Sequence, residues 1–151
     1  MRRALILIAA LALTLSSCGG NSGLVATHRD RNGRPDQWVR WINSNQYQIA
    51  IDTNGDGRPD VIKTVNNHHL VLVERDRDYN GQVDLVQEYS HGVLQREIHD
   101  DDFDGKPESI KTFRPDGSLA LIERDPTERG VIDIVEYYDA AGHLTRRIVR
   151  K

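Results

Sequence analysis

The stretch DTNGDGRPDVIKTVNNHHLVLVER, Asp52 to Arg75, holds one complete copy of the unit from which most of the chain is built. Its first nine residues place oxygen-bearing side chains at Asp52, Asn54, Asp56 and Asp60, which are positions 1, 3, 5 and 9, with Gly57 at position 6. VIKTV follows, rich in the β-branched residues that suit a pleated, half-buried strand. NNHH then supplies turn chemistry, because asparagine tolerates positive φ or hydrogen-bonds its own backbone. LVLVE closes the unit as a second apolar segment. Loop, strand, turn and strand together predict one β-hairpin.

The unit recurs along the chain. Glycines at Gly33, Gly57, Gly81, Gly105 and Gly130 are spaced 24, 24, 24 and 25 residues apart, and each is followed three residues later by an acid: Asp36, Asp60, Asp84, Glu108 and Asp133. Strand-like segments follow each loop: QWVRWI, VIKTV, LVQEY, SIKTF and IVEYY. An apolar residue stands five places after each glycine (Trp38, Ile62, Val86, Ile110, Val135) and a bulky one eight places after it (Trp41, Val65, Tyr89, Phe113, Tyr138). Those offsets differ in parity, so either both faces of the strand carry apolar side chains or a bulge intervenes. Helical i, i+3, i+4 stripes are not sustained anywhere after residue 17.

Single hairpins of this kind bury no face alone and must stack on their neighbours. The expected fold is therefore all-β: an antiparallel meander of about ten short strands from five stacked hairpins, forming an elongated or curved single sheet over residues 28–151. Terminal units should be atypical, and they are. The first carries both tryptophans, and the last places Thr127 and Arg129 where the inner loops carry acids or amides.

Two family resemblances attach to parts of the unit. DTNGDGRPDVI resembles the calcium loops of FG-GAP repeats and of thrombospondin type 3 repeats, which share the pattern DxDxDGxxD. The turns in EYSHGVLQREI and EYYDAAGHLTRRI resemble those of bacterial MORN-type and YD-type repeats. A period of 24 is too short for a propeller blade of about 40 to 45 residues, so the resemblance implies loop chemistry and not a shared fold.

Calcium is a hard cation that takes six to eight oxygen ligands, and a nine-residue loop with a sharp turn at its glycine can wrap four side chains around one ion. Three loops carry the full pattern: Asp52, Asn54, Asp56 and Asp60; Asp76, Asp78, Asn80 and Asp84; Asp100, Asp102, Asp104 and Glu108. The outer two depart from it. His28 offers imidazole at position 1 of the first, and Arg129 puts a fixed positive charge at position 5 of the last. About three Ca²⁺ ions are expected. An EF-hand is excluded, because it needs a bidentate Glu at position 12, where Lys63, Gln87 and Lys111 stand here, and flanking helices. Without that glutamate the affinity should be weak, on the order of 10⁻⁴ to 10⁻³ M. The competing reading is a set of metal-free Asx-turns. Against it stands the density of Asp100, Asp101, Asp102, Asp104 and Glu108 within nine residues, since like charges this close oppose ionisation and folding.

The N-terminus, MRRALILIAALALTLSSCGG, has the three parts of an export signal. Arg2 and Arg3 precede an apolar run, Ala4 to Leu15, shorter than the roughly 20 residues of a membrane span. Leu15-Ser16-Ser17-Cys18 resembles the lipobox of bacterial lipoproteins, which implies a signal peptide, helical in the precursor, over residues 1–17 and lipidation of Cys18. Residues 18–27 read as the lipidated cysteine and a flexible tether. Acyl chains would hold the protein to a membrane surface in the cell envelope without spanning it. Gly19 lacks the aspartate that marks inner-membrane retention in enterobacterial lipoproteins, so the expected location is the outer membrane, facing the periplasm.

Cys18 is the chain's only cysteine, so no intramolecular disulfide can form. Removing residues 1–17 leaves 18 basic and 23 acidic side chains, a net charge of −5, which disfavours nucleic acid as a partner. About 45 of the remaining 134 residues are apolar, roughly 34%, below the usual ~45–50%, so a thick core is not expected. Histidines fall mostly at turns, with no HExxH motif and no thiolate partner for zinc. No nucleophile elbow and no phosphate-cradling glycine loop is present. The expected role is non-enzymatic: a calcium-rigidified envelope lipoprotein or, in the alternative, a metal-independent module whose sheet meets a protein or glycan partner.

Overall fold

The computed structural model describes residues 24–27 and 34–150. The signal segment, Cys18 and the loop residues His28, Asp30 and Asn32 lie outside the described residues. Eleven strands form one antiparallel sheet in strict sequence order. They are β1 (Leu24–Thr27), β2 (Gln37–Asn43), β3 (Gln46–Ile51), β4 (Val61–Asn66), β5 (His69–Arg75), β6 (Leu85–Ser90), β7 (Val93–His99), β8 (Ser109–Phe113), β9 (Leu119–Arg124), β10 (Ile134–Tyr138) and β11 (Leu144–Val149). The sheet is open, with β1 and β11 at its edges. The expected meander of stacked hairpins is the observed fold. Its extra strand is β1, which pairs with β2 from Leu24↔Arg40 to Thr27↔Gln37 and uses the last four residues of the 18–27 segment.

Because the chain runs up and down, its two kinds of connection separate to opposite ends of the sheet. Tight turns occupy one end; at two of them Asn67, His68, His91 and Gly92 take φ between 48° and 79°, the left-handed conformation that matches a hairpin's twist. The nine-residue acidic loops occupy the other end, one every second strand, hence about 10 Å apart.

Register explains the opposed parity of the two apolar positions. Trp38, Ala50, Ile62, Glu74, Val86, Ile98, Ile110, Glu123, Val135 and Ile148 pair directly across successive strands, forming one row on one face. Most of its apolar members are buried, and Trp38, Ala50 and Ile62 form a contiguous cluster. Val61, Val65, Val73 and Ile122 are buried on the opposite face. Both faces therefore carry apolar side chains, and a bulge occurs as well. It recurs in every hairpin, and in the later four the extra residue sits on the second strand: Val71, Gln95, Ala120 and Thr145. That shift sets Leu70 opposite Val65 and Leu94 opposite Tyr89.

Glu74 interrupts the apolar row between Ile62 and Val86, and burial pushes its carboxyl above the usual range. With the core spread thinly over two faces, single side chains matter. Ile98→Val, at a residue 3% exposed, is expected to lower stability by about 1 kcal/mol, measured from the urea midpoint at unchanged slope.

Candidate metal centre

Each inner loop is closed by its two end carboxylates. The position 1 side chain accepts amides from within the loop. Asp52 takes Gly55 N at 2.6 Å and Gly57 N at 2.8 Å; Asp76 takes Asn80 N at 3.2 Å and Gly81 N at 2.7 Å; Asp100 takes Phe103 N at 2.8 Å and Gly105 N at 2.8 Å. The position 9 side chain reaches back to the amide of position 2: Asp60 to Thr53 N at 2.7 Å, Asp84 to Arg77 N at 2.5 Å, and Glu108 to Asp101 N at 2.6 Å. Position 4 must turn into the left-handed region for this wrap. Gly55 does so freely, whereas Tyr79 and Phe103 hold φ 66° despite bulky side chains.

The candidate ligands at positions 3 and 5 form Asx-turns. Asp56 N donates to Asn54 Oδ1 at 2.8 Å, Gln82 N to Asn80 Oδ1 at 2.7 Å, and Lys106 N to Asp104 Oδ1 at 2.8 Å. Asp78 Oδ1 and Asp102 Oδ1 accept from Asn80 N and Asp104 N at 3.1 and 3.2 Å. The local turn chemistry of the alternative reading is thus present.

Three carboxylate groups result: Asp52, Asp56 and Asp60; Asp76, Asp78 and Asp84; Asp100, Asp102, Asp104 and Glu108. Within each group one oxygen from every residue lies within 4.8 Å of the others, so each group could hold a metal ion. The predicted amides Asn54 and Asn80 belong to the same loops, each bonded through its Nδ2 to a neighbouring ligand, Asp56 Oδ2 at 3.3 Å and Asp78 Oδ2 at 2.9 Å.

Burial makes this crowding costly. Asp84 and Asp100 are 0% exposed, and Asp52, Asp60 and Asp76 are buried as well. Desolvation, then the charges of neighbouring carboxylates, raises Asp76, Asp84, Asp100 and Glu108 above the ordinary carboxyl range despite their amide bonds. Asp104 departs in the other direction, because Lys106 Nζ bonds it at 2.8 Å. Among the described residues, two buried oxygens have no hydrogen-bond partner: Asp84 Oδ1 and Glu108 Oε1, both on position 9.

The loops are joined laterally. The amide of position 1 in each loop donates to the carbonyl of position 9 in the loop before it: Asp52 N to Asp36 O at 2.9 Å, then Asp76 N to Asp60 O, Asp100 N to Asp84 O and Asp125 N to Glu108 O, each at 2.8 Å. Arg77 adds a side-chain link, donating to Asp100 O at 2.5 Å and Asp101 Oδ1 at 3.1 Å, with its guanidinium 5.3 Å from the Phe103 ring centroid. Gln82 lies over Gly105, where a Cβ would come within 2.6 Å of Gln82 Oε1.

Sequence reasoning overlooked Arg77 and a further regularity, the apolar plug at position 8. Val83, Pro107 and Ile132 are buried beneath their loops, and Pro59 is half-buried. The signal was present, since every copy has Pro, Val or Ile there. No protein-family model and no curated protein matches the chain.

Proposed function

We propose that the protein is a non-enzymatic, lipid-anchored repeat protein of the bacterial cell envelope whose three inner loops bind calcium, the ions rigidifying a thin sheet. The observation that carries this reading is that Asp84 and Glu108, each a member of a group of carboxylates, carry a buried oxygen without a hydrogen-bond partner. A buried anion without a donor is costly, and a cation answers several such oxygens together. All the candidate ligands are carboxylates and amides, the hard oxygen set that suits calcium rather than zinc or copper. Anchoring through Cys18 follows from the lipobox resemblance and places the repeats at a membrane surface, with the outer membrane preferred.

Calorimetric titration of calcium into the mature chain is expected to show about three sites with dissociation constants on the order of 10⁻⁴ to 10⁻³ M. Absence of any binding heat and of any calcium-induced spectral change would remove calcium from the account.

A second reading has its own support. Trp41 is 44% exposed and its ring centroid lies 4.7 Å from that of Tyr47 at the tight-turn end, beside exposed Ile42. Such a surface suits a protein or glycan partner, with the acidic loops serving only as turns. Partner binding that chelator leaves unchanged would favour it.

A further inference from the structure

The fifth loop, Asp125 to Asp133, keeps the nine-residue frame and changes its chemistry. Position 2 is Pro126, which has no N–H. The backbone donor that engages position 9 in the three inner loops is therefore missing. Asp133 Oδ2 accepts instead from Arg129 Nη2 at 2.9 Å and from Thr127 Oγ1 at 2.9 Å. Arg129 Nε also donates to Thr127 Oγ1 at 2.9 Å, and Thr127 Oγ1 bonds Asp125 Oδ1 at 3.0 Å. A guanidinium carried on position 5 thus joins positions 3 and 9 directly, and position 1 is linked to them through Thr127.

We infer that Arg129 is a tethered cation that takes the metal's place in the fifth loop, closing the C-terminal hairpin without metal while the inner three loops depend on it. The contrast with the inner loops rests on the calcium reading; the role of Arg129 within its own loop does not. A guanidinium is permanently charged, planar and suited to carboxylate oxygens, and its covalent tether makes its presence independent of the surrounding solution. The closed loop is continuous with both neighbours. Asp125 N donates to Glu108 O at 2.8 Å, and Arg150 N to Asp133 O at 2.7 Å. Lys106 Nζ lies 3.9 Å from Glu128 Oε2, across the gap to the fourth loop. The C-terminal hairpin would then remain ordered without calcium and serve as the template on which the inner loops order when calcium arrives.

Hydrogen–deuterium exchange on the mature chain, in calcium and in chelator, tests this. For the unaltered protein, calcium at ten times the dissociation constant should slow exchange in 76–84 and 100–108 about tenfold. Segment 125–133 should stay protected in both media. Arg129→Gln should release 125–133 in both media, and Arg129→Lys should retain part of the protection. Arg129→Asp, which supplies an oxygen at position 5, should make 125–133 calcium-dependent and raise the calcium stoichiometry by one. Unchanged protection of 125–133 in Arg129→Gln would overturn the inference, as would strong calcium dependence of that segment in the unaltered chain. If 76–84 and 100–108 ignore calcium while Arg129→Gln still opens 125–133, the calcium reading fails and the closing role of Arg129 stands.

Discussion

Thermal melts of the mature chain in calcium and in chelator are expected to differ by about 12–20 °C. Free calcium at ten times the dissociation constant adds about 1.4 kcal/mol per independent site, hence about 4 kcal/mol for three. In a domain of roughly 120 residues, between the usual size classes, each kcal/mol moves Tm by about 3–5 °C. An effect of this size is plausible physically because little else offsets the cost of the loops. Among the described residues the single open sheet has no second layer over either face, while Asp52, Asp60, Asp76, Asp84 and Asp100 are all buried beside further acids. Matched ionic strength separates coordination from screening: sodium weakens repulsion between exposed charges but does not supply ligand bonds to buried oxygens. Identical melting temperatures in calcium and chelator would mean that the carboxylate groups are held by turn chemistry alone. A rise reproduced in full by sodium would carry the same meaning.

What the sequence could and could not disclose follows from which interactions are local. The 24-residue frame predicts the meander because strand segments, turn residues and loop lengths repeat together, and consistent local signals leave little choice of topology. The same frame, extended backwards, also contains β1: Ala26 stands 24 residues before Ala50, and both pair with Trp38 from opposite sides. Reading Leu24–Thr27 as tether overlooked that four residues suffice when a neighbour's edge is available. The opposed apolar positions, Ile62 and Val65, left two explanations open in the sequence, and the register decides for the first: the two side chains lie on opposite faces, while the bulge falls on the partner strand at Val71.

For the loops, residue type at positions 1, 3, 5 and 9 was enough to expect convergent oxygens. It was not enough to assign the hydrogen bonds, because those depend on a left-handed residue at position 4. Tyr79, Phe103 and Glu128 occupy that position with φ between 52° and 66°, although none is a residue type that announces such a conformation. Arg77 and Arg129 were equally opaque. A long cationic side chain in an acidic loop can reach forward to the next copy, as Arg77 does, or back into its own, as Arg129 does. Sequence shows the charge and not the direction.

Two carboxylates that look equivalent in the sequence should respond to substitution in opposite ways. Asp100→Ala is expected to cost about 3–5 kcal/mol in chelator, and about 1.4 kcal/mol more in calcium at ten times the dissociation constant, because Asp100 is also a candidate ligand of its loop. The side chain is fully buried, and its two oxygens accept Phe103 N and Gly105 N at 2.8 Å each. Alanine strands both amides, at about 1–3 kcal/mol apiece, and no ion can replace the acceptors. Asp84→Asn poses a different problem. Asparagine keeps an acceptor for Arg77 N, and its new NH₂ takes the position of the unpartnered Oδ1, on a side chain grouped with the carboxylates of Asp76 and Asp78. It also removes one of three crowded negative charges, where burial already raises the Asp84 carboxyl. In chelator the variant should therefore be more stable than the unaltered protein, by about 1 kcal/mol. In calcium it should be less stable, because it forfeits a charged ligand and the roughly 1.4 kcal/mol that its site contributes at ten times the dissociation constant. Urea midpoints in the two media read both variants. A reversal of sign for Asp84→Asn, beside a loss in both media for Asp100→Ala, separates a carboxylate whose turn bonds the loop needs even without metal from one whose charge is tolerated only when a cation answers it. Stabilisation by Asp84→Asn in both media would mean that the charge of the second loop is merely tolerated.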